Sequence, residues 1–309
     1  MFPSAVWCEQ IWPHEIAIEP QRKLLTHNTD QLFTGARRHR LEKRELGRTR
    51  EKIPVIGMGT WEIGDVQNEG RALEIQALRR GIELGMTVID TAEMYGYGNA
   101  EKLVGQAIKG MRDGVFIVTK VSPHHFGYED ILSSCEGSIR RLGVEHIDLY
   151  LLHWPSRQVP IGETMKAMEE LVSRGKIRYI GVSNFSVAQT LAARDALPRS
   201  EIACNEVRYS LTHRAIESEL LPFCEQEKLT VMAYSPLDTG KIPTSKVPRS
   251  LLDKYGMTPA QLMLDWVTHK EAVVAIPKAA KVEHVEENAA AVSSRISADD
   301  YQVLSRTFD

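Results

Sequence analysis

From residue 55 onward, a short apolar run, a polar residue and an amphipathic segment recur about every thirty residues. This repeat restricts the possible folds more than any other feature of the chain. The runs are Val55–Gly59, Thr87–Ile89, Val115–Thr119, Ile147–Leu152, Ile177–Val182, Ile202–Cys204, Thr230–Ala233 and Val273–Ile276. Most are continuously apolar and rich in Val and Ile, as parallel strands buried on both faces must be. Between them, Ala72, Ile75, Leu78 and Ile82 sit three or four apart on one helical face, and Thr164–Val172 and Glu217–Cys224 behave alike. Gly85, Gly143 and Gly175 stand where helix C-caps belong, and Thr258-Pro259 opens a helix with proline at its first position. Ahead of the repeat, Lys43–Leu46 and Lys52–Val55 flank Gly47-Arg48-Thr49-Arg50 and read as a hairpin. The predicted fold class is α/β: a (β/α)8 TIM barrel over residues 43–309 with an N-terminal β-hairpin capping the bottom. A doubly wound sheet is the alternative. It would carry a glycine-rich phosphate fingerprint, but Gly57-Met58-Gly59-Thr60-Trp61 lacks the third glycine and Gly96-Tyr97-Gly98 does not directly follow a strand.

Charge and cysteine usage narrow the function classes. The 38 Lys+Arg nearly balance 41 Asp+Glu, which argues against a dedicated nucleic-acid or membrane-surface protein. No apolar run approaches the ~18 residues of a spanning helix. Cys8, Cys135, Cys204 and Cys224 are scattered without a CxxC, as expected of reduced thiols in a cytoplasmic protein with no metal site. A monomer or weak oligomer is expected. Residues 1–42 show no clear period. Pro13, His14 and Glu15 interrupt any secretory core, and five acidic residues (Glu9, Glu15, Glu19, Asp30, Glu42) argue against a transit peptide. This stretch is expected to be a poorly ordered extension.

In this type of barrel, chemistry gathers at the C-terminal ends of the strands. The residues just past the runs are Asp90, Lys120, His153, Ser183-Asn184, Asn205-Glu206, Tyr234-Ser235 and Lys278. One polar residue at a strand end is ordinary, because the chain must exit into water. An acid, an ammonium and an imidazole at intervals of 30 and 33 residues have mutually useful chemistry. Tyr95, five residues past Asp90, can fold back over the barrel mouth. Lys120 is expected to lower the pKa of this phenol, with Asp90 holding the lysine and His153 orienting a carbonyl oxygen or passing it a proton.

The motifs Gly57-Met58-Gly59-Thr60-Trp61, Asp90-Thr91-Ala92-Glu93-Met94-Tyr95, Lys120 after Ile117-Val118-Thr119, His153-Trp154-Pro155, Gly181-Val182-Ser183-Asn184-Phe185, Ala233-Tyr234-Ser235-Pro236-Leu237 and Ile276-Pro277-Lys278 follow one another in a recognisable order. Across residues 43–307 the chain resembles the aldo-keto reductases. The resemblance implies a catalytic tetrad of Asp90, Tyr95, Lys120 and His153, with Tyr95 as general acid. It also implies an extended NADP(H), with NAD(H) as the alternative, bound without a Rossmann fingerprint. Ser183 and Asn184 would hold the carboxamide, Tyr234 would stack on the nicotinamide, and Ser235 and Leu237 would meet the pyrophosphate. Lys278 would pair with the 2′-phosphate, and Glu287 and Asn288 would meet the adenine. Thr60 is assigned to the cofactor side, Trp61 to both cofactor and substrate, and Trp154 to the substrate pocket beside Tyr95 and His153.

Four departures stand out. Glu206 occupies the place where most members carry Gln against the carboxamide. His284 stands where many NADP-preferring members carry Arg, and Ala279 replaces a common hydroxyl residue; Lys281 restores part of the lost charge. The chain ends at Asp309, soon after a helix near Ala298–Arg306, so an open pocket for small aldehydes, dicarbonyls or short sugars is expected. The expected function is NADP-dependent reduction of small carbonyl compounds. The alternatives are an NAD-linked sugar or alcohol dehydrogenase and a non-catalytic binding protein on the same fold, as in the potassium-channel β-subunits.

Overall fold

The computed structural model describes residues 41–64, 69–241 and 243–309. The expected extension over 1–42 lies outside the described residues, except for Leu41 and Glu42. Leu41 is buried in the core, and Glu42 pairs with Arg44 and Arg295.

A two-stranded hairpin comes first: β1 (Lys43–Glu45) and β2 (Lys52–Pro54), antiparallel with Arg44 opposite Ile53. Eight parallel strands follow in sequential order: β3 (Met58–Gly59), β4 (Val88–Asp90), β5 (Phe116–Val121), β6 (Ile147–Leu152), β7 (Ile177–Ser183), β8 (Ile202–Arg208), β9 (Thr230–Tyr234) and β10 (Val273–Ala275). Bridges pairing Ile56 with Ala275 and Gly59 with Lys278 join the first strand to the last and close the barrel. Closure depends on Gly59, because a Cβ there would stand 2.7 Å from the Ile276 carbonyl oxygen.

The strands are separated by α1 (Glu69–Glu83), α2 (Asn99–Ala107), α3 (Tyr128–Leu142), α4 (Ile161–Ser173), α5 (Val187–Asp195), α6 (Leu220–Glu227), and the pair α7 (Arg249–Tyr255) and α8 (Pro259–Val267). Two more, α9 (Val282–Ala290) and α10 (Ala298–Thr307), follow β10. Thr258 caps α8 in a reciprocal capping box with Gln261, and Pro259 takes the first helical position.

One helical expectation is corrected. Glu217–Cys224 is not continuous, because a 3-10 turn over Ala215–Ser218 ends at Glu219 before α6 begins. Pro222 has no N–H to donate back to Ser218, so the chain restarts rather than running through.

The apolar residues divide by face. Val88, Phe116, Val118, Leu149, Leu151, Cys204, Met232, Val274 and Ile276 form an interior cluster that also contains Leu46 and Ile53 of the hairpin. The opposite strand faces and the helices form the larger cluster around it. The hairpin thus plugs the end where the strands begin. The Gly47 amide donates to Thr230 Oγ1 at 2.8 Å, at the start of β9. Arg44 donates to the carbonyls of Thr268 and Val273, each at 2.7 Å.

Candidate active site

Strand side chains alternate between faces, so an inward apolar position implies an inward position two residues later. Stepping on from Val88, Val118, Leu151, Cys204, Met232 and Ile276 gives Asp90, Lys120, His153, Glu206, Tyr234 and Lys278. Asp90, Lys120, His153 and Glu206 form the last interior layer, at the strands' C-terminal ends, while Tyr234 is half-buried and Lys278 exposed. Above it opens a cavity of about 960 Å³.

The floor is a charged cluster. Lys120 is fully buried, and its Nζ donates to Asp90 Oδ1 at 2.6 Å, to the Thr91 carbonyl at 3.0 Å and to the Tyr95 hydroxyl at 3.2 Å. Glu206 Oε1 lies 3.3 Å from the same nitrogen. Tyr95 reaches the cluster from a 3-10 turn, Tyr95–Gly98, in which Gly96 and Tyr97 take positive φ and fold the chain back over the mouth. The Tyr95 and His153 rings meet edge to face, with centroids 5.7 Å apart.

Burial acts on every titratable group here. It disfavours the Lys120 ammonium, but Asp90 and Glu206 more than compensate and hold the lysine above its usual range. The expectation for Tyr95 is corrected. Burial pushes the phenol above its ordinary value, and Asp90 and Glu206 add to that rise while Lys120 opposes it. The phenol is therefore firmly protonated at neutral pH. Burial, helped by the Lys120 charge, lowers His153 to about 3, so its imidazole is neutral. A neutral ring donates from one nitrogen, which suits orienting a carbonyl oxygen better than delivering a proton as imidazolium.

Ser183, Asn184, Glu206 and Tyr234 form one connected set. Ser183 Oγ donates to the Glu206 carbonyl at 3.0 Å and accepts from Asn184 Nδ2 at 3.0 Å. Asn184 Oδ1 accepts from the Tyr234 hydroxyl at 3.0 Å. Asn184 and Ser235 both hold positive φ, a strained conformation for residues with side chains that is common where a backbone is shaped around a site.

Trp61 and Trp154 are half-exposed at the mouth and line the cavity, as do Leu237, Lys278, His284, Glu287 and Asn288. Two expected cofactor residues lie outside the lining. Thr60 is buried, with its hydroxyl donating to the Asp90 carbonyl at 2.9 Å, and Lys281 precedes the first turn of α9. Sequence reasoning missed Arg208, Lys241 and Met94, all of which line the cavity. Arg208 was signalled by the same alternation, lying two residues beyond Glu206 on β8. It forms an ion pair with Asp238 in the loop after β9.

A closed (β/α)8 barrel with a buried Asp–Lys–Tyr chain and a neutral His under an open cavity defines a carbonyl-handling oxidoreductase. The chain belongs to the aldo-keto reductases: the Aldo/keto reductase family model matches residues 55–307. Methylglyoxal reductase YeaE of Escherichia coli (strain K12) is 42% identical over 261 residues, covering 83% of this chain and 91% of that protein. An aldo/keto reductase from Klebsiella pneumoniae, solved in complex with NADP and acetate, superposes with a TM-score of 0.80 at 43% identity, covering 87% of this chain and 96% of that one. A Klebsiella pneumoniae structure in complex with NADPH gives a TM-score of 0.79 at 43% identity, with the same coverage.

Proposed function

We propose that this aldo-keto reductase reduces the aldehyde and ketone groups of small carbonyl compounds with NADPH, Tyr95 supplying the proton. The observation that carries this is the Asp90–Lys120–Tyr95 chain on the cavity floor, with the Lys120 nitrogen 3.2 Å from the phenol oxygen. Burial keeps the proton on Tyr95 until it is needed. The adjacent ammonium then stabilises the phenolate left behind, which lowers the cost of transfer. His153, held neutral, offers an N–H to the carbonyl oxygen.

The cavity suits a dinucleotide. Its lining includes Tyr95 and Tyr234 together with Lys278, His284 and Asn288. Glu206 Oε2 at its floor is a buried oxygen without a hydrogen-bond partner among the described residues. When bound, the reduced nicotinamide supplies the hydride. Lys278, exposed at the far end, carries the charge for a 2′-phosphate. Trp61, Met94 and Trp154 form an apolar mouth over the catalytic end. The name of the Escherichia coli relative points to methylglyoxal, a small dicarbonyl, as the first substrate to test.

No helix among the described residues is long and apolar enough to cross a membrane. Cys135, Cys204 and Cys224 are buried and free. A cytoplasmic enzyme, monomeric or weakly associated and without a nucleic-acid partner, completes the proposal. His284 favours a second reading, an NAD-linked alcohol or sugar dehydrogenase, since an imidazole lacks the planar bidentate fork that an arginine offers a phosphate. Initial rates with NADPH and NADH over a panel of methylglyoxal, simple aldehydes and sugar alcohols separate the two. Faster NADPH-driven reduction supports the first, NAD-driven oxidation the second, and no turnover with either cofactor rejects both.

A further inference from the structure

Glu206 faces into the last interior layer with its carboxyl enclosed. Lys120 cannot satisfy it. An ammonium has three protons, and these go to Asp90 Oδ1, the Thr91 carbonyl and the Tyr95 hydroxyl. Glu206 Oε1 is a fourth neighbour at 3.3 Å, and Oε2 has no hydrogen-bond partner among the described residues. Two carboxyls therefore share one ammonium on the enclosed floor of the cavity.

The ionisable groups around Glu206 come from several elements. They are Asp90 of β4, Tyr95 of the loop after β4, Lys120 of β5, Tyr234 of β9 and Cys204 on its own strand. His153 and Arg208 line the cavity nearby. With both carboxyls ionised the Asp90–Lys120–Glu206 cluster carries a net negative charge; with one proton retained it is neutral. The Asp90 and Glu206 carboxyls are close enough to share a hydrogen bond when one of them is protonated, and like charges so placed in a low dielectric do not both ionise readily. Asp90, with its short bond to Lys120, is the better-compensated carboxylate. Burial and the Asp90 charge push Glu206 well above the usual carboxyl range.

We propose that Glu206 is a proton site linked to the charge of the cofactor: a neutral acid when reduced nicotinamide occupies the cavity, and a carboxylate when the oxidised, positively charged ring does. This rests on the cofactor proposal above. The Glu206 O–H bond breaks heterolytically, the electron pair stays on the carboxyl oxygen and the proton leaves to solvent, so no further reactant is needed. As the neutral acid, Glu206 has one donor and an acceptor and imitates an amide. As the carboxylate, it stabilises the oxidised ring in a way that Gln cannot.

Calorimetric titration of NADP⁺ and NADPH into the wild-type protein, in buffers of differing ionisation enthalpy, counts the protons exchanged. The cofactor's own phosphates and their protein partners are common to both titrations and cancel in the difference. NADP⁺ should release up to one proton more than NADPH. The NADP⁺-to-NADPH affinity ratio should then rise with pH by up to about tenfold per unit. Glu206→Gln should bind both cofactors with equal proton counts and a flat ratio. Independently of any variant, the protonated-carboxyl stretch in difference infrared spectra of the wild type should vanish with NADP⁺ and persist with NADPH. Equal proton counts in the wild type, or a difference that survives in Glu206→Gln, would overturn the assignment. Failure of both cofactors to bind would instead reject the cofactor proposal on which it rests.

Discussion

At the scale of single residues, the site is governed by burial acting on charge. His153 shows the sign clearly. Its folded pKa, about 3, lies below the ordinary value of 6.5, so between these the unfolded chain binds the extra proton. Stability must therefore rise with pH through that window and be lost as pH falls below about 6.5. This imidazole alone should cost about 2 kcal/mol on going from pH 7 to pH 4.5. Urea midpoints of wild type and His153→Asn across that range should converge toward acid; parallel curves would show that the ring is not held neutral. Lys278 is the opposite case, an exposed cation with little effect on folding. Lys278→Ala should raise KM for NADPH about tenfold, as for the loss of a charge-assisted hydrogen bond, and leave KM for NADH nearly unchanged. Equal effects on both cofactors would place the lysine away from the phosphate. Asp90, Lys120 and His153 were legible as residues just past apolar runs. The upward shift of Tyr95 was not, because it reflects how completely the floor is enclosed, and enclosure is a property of packing.

At the scale of elements, the strands and their polar ends were read from the run pattern, and the glycine caps came with them. Gly85, Gly143 and Gly175 all take positive φ at the ends of helical segments. Edges were less legible. β8 runs to Arg208, four residues past the apolar run ending at Cys204, because neighbouring strands supply its hydrogen bonds whatever its side chains. The hairpin's placement was legible from its position before the first barrel strand, but the contacts that hold it come from residues more than a hundred positions away. Gly47 is the sharpest of these. Its φ is +54°, and a Cβ would stand 2.6 Å from the Ala203 carbonyl oxygen. Gly47→Ala should destabilise the protein by at least ~2 kcal/mol, read as a lower Tm, through left-handed strain plus a backbone clash. An unchanged Tm would mean that the hairpin is not seated on the barrel end as described.

At the scale of the whole molecule, eight turns of one repeat bring Asp90, Lys120, His153 and Glu206 from four separate strands into a single layer, which no local motif could do. The barrel was legible because the period of its runs and helices is global. Lys241 and Met94 were missed because loop conformation, not strand order, decides what overhangs the cavity, and Arg208 because β8 runs past the apolar run that marked its end. The central claim is that the buried Asp90–Lys120–Tyr95 chain makes Tyr95 the proton donor for NADPH-dependent carbonyl reduction. The most direct measurement compares wild type and Tyr95→Phe for kcat with methylglyoxal, with NADPH affinity measured by titration on the same preparations. A fall in kcat of about 100- to 10,000-fold with cofactor affinity preserved is the predicted result. Near-wild-type kcat in a folded, NADPH-binding Tyr95→Phe protein would contradict it.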